Sequence, residues 1–366
     1  MKIKANRDEV LKPLLRVSSV VERRQTLPIL ANVLIEGSRD RLRFTATDLE
    51  VELSASGPIQ GEGEIEFTLP ARKLVDICKA LPEGASIELE VSAEKVTLRS
   101  GRARFTMGTL PAQDYPSIEP SAATDRLRVP QSVLKRLIEK TAFSMAHQDV
   151  RYYLNGLLLE ISGNRVRAVA TDGHRLAVCD AVQETGVENE LQVILPRKAV
   201  LELGRLLEDA DDEVELEVSN SHVRLRGVDT VFTTKLIDGR FPDYERVVPT
   251  GATQEMLAAK EELKQALART SILSNENYRG IRFRLAPGTL HLQAHNPEQD
   301  EAEEELQVEY AGNPLTIGFN VGYLLDVLGV LSGEQVRMAL IDADSSCLVT
   351  AAESSDCRYV IMPMRL

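Results

Sequence analysis

The chain has 366 residues, 43% of them hydrophobic, with 56 acidic against 43 basic side chains and a formal net charge of −13. That length can fill the cores of two or three domains. No apolar run approaches the roughly 18 residues a membrane span needs, and MKIKANRDEV at the start lacks the apolar stretch of a secretory signal.

Taken in order, Asn6 to Arg16 reads as a helix because Val10, Leu14 and Val17 recur at helical spacing, with Pro13 expected to kink it or fall in an early turn. Strands are expected over 31–36, 41–47 and 51–56, a helix over 72–80 stopped by Pro82-Glu83-Gly84, and strands over 86–91, 95–100 and 102–107. That makes a unit of two helices and about eight strands. The order then returns, with a helix over 131–140, a segment over 154–178 read as two strands and a turn closing on Thr171 and Asp172, and a helix over 197–207. A third passage has helices near 260–270 and 322–332. The small polar stretches PSAATDRL and PTGATQEM place joins near Thr124 and Gly251, so the expected domains are 1–124, 125–251 and 252–366. Cys78, Cys179, Cys347 and Cys357 are scattered without CxxC spacing, which predicts buried thiols rather than a disulfide frame or a metal site.

A long period underlies this order. Asp48, Asp172 and Asn296 stand 124 residues apart, and FTMGTLPAQDYP at Phe105, FTTKLIDGRFPDY at Phe232 and YVIMPMRL at Tyr359 stand 127 apart. PARKLVDICKAL at Pro70 is answered by PRKAVLELGRLL at Pro196. Three diverged copies of one α+β unit follow.

Charge is distributed unevenly. The six expected helices sum to +7, leaving −20 on the rest. On the 131–140 helix Val133, Leu134, Leu137 and Ile138 take the apolar face and leave Arg136 and Lys140 together on another, as Lys12 and Arg16 are in the first helix. A solvated surface accounts for any one of these helices. Five basic helices on an acidic background point instead to a surface for phosphates, and their few Asn, Gln or aromatic side chains imply binding that ignores base sequence. If the units pack side by side with helices inward, the basic faces converge. Three units are too few to surround a duplex about 20 Å across, whereas two copies of the chain related by a twofold axis could close a ring.

Several motifs carry a resemblance over the whole length: TLPIL at Thr26, PARK at Pro70, SMAHQDVRYYLNG at Ser144, VATDGHRLAV at Val169, LIDGRFPDYERV at Leu236, NPEQDEAEE at Asn296 and VIMPMRL at Val360. On these the chain resembles the bacterial DNA polymerase III beta subunit family, the replicative sliding clamps. The resemblance implies three clamp-type domains, each two helices plus two antiparallel sheets, forming half of a closed head-to-tail homodimeric ring with helices lining the hole. It implies double-stranded DNA as a sequence-independent partner, along with polymerase subunits, an ATP-driven clamp loader and other proteins carrying short clamp-binding peptides. It also implies a cytoplasmic protein, associated with the nucleoid during replication, with no cofactor, metal or membrane partner.

Carried over position by position, the DNA contacts are Arg24, Arg72, His147, Gln148, Tyr152 and Tyr153, with Arg197 and Lys198 added from the helix argument. One of Tyr152 and Tyr153 is expected in the core, because adjacent strand residues face opposite ways. The partner-peptide groove falls on Leu154, Thr171, Gly173, His174, Arg175, Leu176, Pro242, Arg246, Val247, Tyr278, Asn320, Tyr323, Ser346, Val360, Met362, Pro363, Met364 and Arg365. These are sequence-distant apolar residues with adaptable thioethers and a few polar handles. On residue type alone, Leu154, Leu176 and Val360 read as core and the C-terminus as a capped strand. The dimer contact falls on Phe105, Ile272 and Leu273, with Lys73, Arg102 and Arg104 opposite Glu298, Asp300, Glu301 and Glu304.

Two other readings compete. Thr171, Asp172 and His174 could suggest catalysis, and Asp48 with Asp172 a carboxylate pair. However, the repeat puts Asp48, Asp172 and Asn296 at equivalent points of separate units, where a turn that accepts backbone hydrogen bonds explains all three. The remaining alternative is a repeat-built scaffold that binds only proteins.

Overall fold

Among the described residues, each α-helix begins where a strand stops. In the computed structural model, which describes residues 2–21, 27–38, 40–61, 64–92, 94–119 and 122–365, the helices are α1 (Arg7–Ser18), α2 (Ala71–Ala80), α3 (Gln131–Thr141), α4 (Arg197–Leu206), α5 (Lys260–Thr270) and α6 (Val321–Val330). They directly follow the strands Lys2–Asn6, Ile65–Pro70, Asp125–Pro130, Leu191–Pro196, Gln254–Ala259 and Leu315–Asn320. The threefold repeat of strand and helix is thus real in three dimensions, and the fold is α+β.

Local chemistry sets these boundaries. Asn6 caps α1 by accepting the Asp8 N–H at 2.9 Å, while Glu9 Oε2 accepts the Asn6 N–H at 3.1 Å, a reciprocal capping box. Asn320 caps α6, accepting the Gly322 N–H at 2.8 Å. Pro13 does not end α1, which runs on to Ser18. The carbonyl it leaves without an intrahelical partner, that of Glu9, faces Gly57, where a Cβ would lie 2.5 Å from the oxygen. Only a glycine lets the 51–58 strand pass this close.

The chain divides into two compact units, Met1–Ser132 with Leu201–Leu236, and Val133–Val200 with Ile237–Leu366. In the first, a five-stranded antiparallel sheet has the order Gln60–Gly61, Lys2–Asn6, Ser86–Val91, Lys95–Ser100, Ala103–Gly108. An eight-stranded sheet in the same unit joins the first and middle repeats where Thr230–Lys235 pairs with Val51–Pro58, Phe232 opposite Leu53. In the second unit, a nine-stranded sheet joins the middle and last repeats where Arg175–Val182 pairs with Cys357–Ile361, Leu176 opposite Val360. A four-stranded sheet, ordered Glu301–Gln307, Thr289–His295, Gly280–Ala286, Leu315–Asn320, completes it. The middle repeat therefore gives one sheet to each unit.

Three details depart from the sequence reading. The segment over 154–178 holds three strands, Gly156–Ser162, Arg165–Thr171 and the start of Arg175–Val182. The first two are buried on both faces, which erases the alternation by which strands are recognised. The strands Lys2–Asn6 and Ile65–Pro70 were also not foreseen. Finally, Cys179 and Cys357 are joined by a disulfide, correcting the expectation of four free thiols. Strand register puts them opposite one another although they are 178 residues apart in sequence, which spacing alone could not reveal. Cys78 and Cys347 are buried free thiols as expected, and burial pushes the Cys78 thiol up to about 11.

The three repeat landmarks are turns. Asp48 Oδ1 accepts the N–H groups of Glu50 and Val51 at 3.0 and 2.7 Å, Asp172 Oδ1 those of His174 and Arg175 at 2.9 and 3.0 Å, and Asn296 Oδ1 that of Asp300 at 2.9 Å. Their carboxyl and amide groups are occupied in holding strand ends together.

Candidate functional site

A pocket of about 210 Å³ lies over the junction of the Arg175–Val182 and Cys357–Ile361 strands, lined by Arg151, Leu154, Thr171, Gly173, Arg175, Leu176, Pro242, Asp243, Tyr244, Val247, Val360 and Met362. Its floor is the register pair Leu176 and Val360, part of a buried cluster with Leu158, Val169, Val178, Ile194, Phe241 and Tyr244. One wall is the segment 237–248, which lacks strand structure and lies over the sheet through Ile237, Phe241, Tyr244 and Val248. Pro242 keeps an N–H out of that segment, and a short helical turn over Tyr244–Val247 closes it.

The opposite rim is polar. Arg151 forks onto Asp149, with Nε 3.0 Å from Oδ1 and Nη2 2.8 Å from Oδ2, and also donates to the Asp172 carbonyl at 3.3 Å. The Arg151 hydrogen bond holds the Asp149 carboxyl down near 2. Arg175 is tied on every side: to Asp172 at 3.1 Å, to Asp326 at 2.5 Å, and to the Phe143 carbonyl at 2.7 Å, with its guanidinium carbon 4.5 Å from the centre of the Tyr323 ring. The Met362 N–H donates to the His174 carbonyl at 2.9 Å, and Met362, with its flexible thioether, is 42% exposed at the pocket mouth.

Nine of the expected groove residues therefore line one pocket: Leu154, Thr171, Gly173, Arg175, Leu176, Pro242, Val247, Val360 and Met362. Leu154, Leu176 and Val360 are also buried, so they serve as core and as floor at once. The rest do not line it. Asn320 donates to the Tyr278 carbonyl at 3.3 Å, and the Met364 N–H to the Gly318 carbonyl at 2.8 Å. Ser346 donates to the Val247 carbonyl at 3.5 Å, Arg246 pairs with Asp243 at 2.6 Å, and Arg365 lies 3.8 Å from Asp344. His174 is exposed and Pro363 half-buried. Arg151, Asp243 and Tyr244 are lining residues that sequence reasoning missed. Asp243 and Tyr244 sit between the named Pro242 and Arg246, and that proximity was the available signal.

The expected DNA contacts fall into separate places. Arg24 lies outside the described residues. Arg72 is exposed on α2, and His147 and Gln148 are exposed in the loop before the short turn Tyr152–Leu154. Asn155 fastens that loop, accepting the Asp149 N–H at 2.9 Å and donating to its carbonyl at 2.8 Å. Tyr152 is 56% exposed while Tyr153 packs on the cluster beneath the pocket, the division expected, although in a helical turn rather than a strand. Arg197 is half-buried and donates to the Met145 carbonyl at 3.1 Å; Lys198 is half-buried beside it on α4.

Two helix cations assigned to phosphate serve another purpose. Arg136 donates to the Asp180 carbonyl at 2.8 Å, and Lys140 bonds the Val330 carbonyl and Ser332 Oγ. Lys260 donates to the Leu331 carbonyl at 3.0 Å, so two lysines from other helices cap the C-terminal end of α6, where the helix dipole favours cations. Burial, then the neighbouring Arg136 and Lys260 charges, lower the pKa of Lys140. Lys12 stays exposed, and Arg16 pairs with Glu208 at 3.1 Å.

The expected dimer residues flank two outer strands. In the first unit Ala103–Gly108 ends its sheet, with Arg102 and Arg104 exposed, Phe105 half-buried, and Lys73 exposed on α2. In the second, Glu301–Gln307 ends its sheet, with Glu298, Asp300 and Glu301 exposed, Glu304 paired to Arg269, Ile272 77% exposed and Leu273 half-buried. Among the described residues no His, Cys, Asp or Glu cluster could hold a metal ion, and no helix is long and apolar enough to cross a membrane.

Three family models match in tandem: DNA polymerase III beta subunit, N-terminal domain over residues 1–119, central domain over 128–243 and C-terminal domain over 245–365. The chain is 52% identical over 361 residues to the beta sliding clamp of Pseudomonas aeruginosa, covering 98% of each, and 47% identical over 367 residues to that of Escherichia coli K12, covering 100% of each. Its fold matches the crystal structure of the Pseudomonas aeruginosa DNA polymerase III subunit beta with a TM-score of 0.97 at 51% identity, covering 100% of each chain. A structure of the Pseudomonas aeruginosa clamp bound to griselimycin matches equally well, with a TM-score of 0.97, 51% identity and 100% of each chain covered.

Proposed function

The chain belongs to the DNA polymerase III beta subunit family, and on that footing we propose that it is a DNA sliding clamp: a non-catalytic processivity factor that encircles duplex DNA and tethers polymerases during replication. The observation that carries this reading is the tandem match of all three beta-subunit domains along one chain. The clamp does no bond chemistry. It holds the duplex loosely through phosphate contacts, so that it slides, and it raises the effective concentration of a tethered polymerase at the primer end.

Two copies close the ring head to tail. The edge strand Ala103–Gly108 of one copy, flanked by Arg102, Arg104 and Lys73, meets the edge strand Glu301–Gln307 of the next, flanked by Glu298 and Asp300. Edge strands with unpaired backbone groups add readily to one another, and opposite charges fix the register. Phe105, Ile272 and Leu273 supply the apolar centre. The ring is built from three domains per chain, 1–124, 125–251 and 252–366.

DNA is met by Arg24, Arg72, His147, Gln148, Tyr152, Arg197 and Lys198. Polymerase subunits, the clamp loader and other partners insert short peptides into the pocket over Leu176 and Val360, with Tyr278, Asn320, Tyr323 and Met364 extending it, and griselimycin, bound in a solved structure of the Pseudomonas aeruginosa clamp, is the ligand we assign to the same pocket. The protein works in the bacterial cytoplasm, on the nucleoid while replication proceeds.

The test is retention on nicked circular plasmid after loading, before and after the plasmid is cut. Release only on linearisation is expected of a topological ring. Equal retention on both forms would leave ordinary surface binding, or the protein-only scaffold, in its place.

A further inference from the structure

Beneath the groove wall, a row of polar side chains crosses a sheet face that is otherwise apolar. Gln192, Glu160, Arg167 and Asp180 are register partners on four neighbouring strands, and they share their face with Leu158, Val169, Val178 and Ile194. Arg167 and Glu160 are 7% and 5% exposed. Burying a guanidinium and a carboxylate is costly unless every polar atom is matched, and an apolar pair would pack here at least as well.

The matching is complete, and it reaches beyond the sheet. Glu160 accepts from Gln192 Nε2 at 2.9 Å through one oxygen and from the Tyr244 hydroxyl at 2.6 Å through the other. Arg167 donates from Nη1 to that same hydroxyl at 2.9 Å and to Glu245 Oε1 at 3.1 Å, while Nη2 holds Asp180 at 3.1 Å. Tyr244 thus uses its one hydroxyl as donor to a buried anion and acceptor from a buried cation. It is also a lining residue of the groove, within a wall that has no strand partner to fix it.

We propose that Arg167, acting through Tyr244 and Glu245 with Glu160 as counter-ion, is a positioning residue for the peptide groove: it holds the 241–248 wall at the distance from the Leu176 and Val360 floor that a bound partner requires. Arg167 itself does not line the pocket. The inference rests on reading that pocket as the partner groove.

The experiment is calorimetric titration of the full-length protein with griselimycin, paired with amide hydrogen exchange over 241–248 and sedimentation. Tyr244→Phe keeps the ring and removes only the hydroxyl. It should weaken binding about fivefold, the equivalent of one ordinary hydrogen bond, with faster exchange confined to 241–248 and an unchanged dimer. Arg167→Met should weaken it about tenfold or more and speed the same amides; if that variant does not fold, Tyr244→Phe decides alone. Val247→Asp, on the groove surface, is the control for the pocket itself. If Val247→Asp abolishes binding while Tyr244→Phe leaves both affinity and exchange at their original values, the positioning role is overturned and the groove stands. If Val247→Asp leaves binding intact, the groove reading falls and the positioning role with it.

Discussion

A Cβ on Gly173 would lie 3.1 Å from both terminal nitrogens of Arg151. Gly173 is the left-handed residue of the Thr171–His174 turn, with φ +89°, and the Arg151 guanidinium packs against its bare Cα more closely than a Cβ there ordinarily allows. The turn that closes two strands therefore touches the polar rim of the groove. Gly173→Ala should destabilise the protein by about 1–2 kcal/mol from backbone strain alone, and should displace Arg151 into the pocket. Thermal unfolding reads the first effect and griselimycin titration the second. An unaltered affinity would show that the guanidinium swings clear without cost.

The equivalent residue of the first repeat is Leu49, which holds φ +78° with a side chain present. The same turn is therefore built once with glycine and once against the conformational preference of leucine. Leu49 is 38% exposed, so part of its side chain is still covered, and that contact counts against the relief of strain. Relief of left-handed strain, offset in part by the greater freedom of glycine in the unfolded chain, should make Leu49→Gly more stable by about 0.5–1 kcal/mol. A lower melting temperature would mean that the leucine side chain contributes contacts that outweigh the strain.

Asp149 links the loop bearing His147 and Gln148 to the groove rim. Its carboxyl is held near 2, chiefly by the Arg151 side-chain hydrogen bond and then by the Arg151 backbone N–H. A depressed folded value means that the ionised form is favoured by folding, so the fork is intact above the ordinary value near 3.8 and is lost only as pH falls toward 2. Carboxyl carbon NMR should place the Asp149 titration near 2 in the native protein, and Arg151→Ala should return it toward the usual aspartate range. A normal titration in the native protein would remove the fork from the rim.

Much of this was legible in the sequence because the repeat is written in local signals. The Asp48, Asp172 and Asn296 turns and the helices α3 and α5 follow from local signals that do the same job wherever they stand, whereas nine of the pocket residues came from the family resemblance, their residue types alone reading as core. What stayed hidden was set by register between distant segments. Cys179 and Cys357, Arg167 and Tyr244, and Lys140 with Lys260 on the end of α6 meet only once the sheets have formed. Arg136 and Lys140 show the limit of charge counting: a basic residue at helical spacing reads as a surface cation whether its partner is a phosphate or the carbonyl of another helix.

Head-to-tail closure makes a prediction that surface charge alone does not. Arg104 lies on the basic edge strand and Glu301 on the acidic one, each exposed in the monomer. Arg104→Glu should weaken the dimer by placing like charges against the Glu301–Gln307 edge, and Glu301→Arg should do so from the other side. Each exposed pair contributes only about 0–1 kcal/mol of attraction, so the loss should come mainly from repulsion and should shrink as salt screens it. Combining the two substitutions restores opposite signs across the contact, and sedimentation equilibrium should show the double variant closer to the original dimer than either single one. If both single variants dimerise as before, or the double variant is as weak as the sum of the two, these edges do not face each other, and the ring must close through another surface.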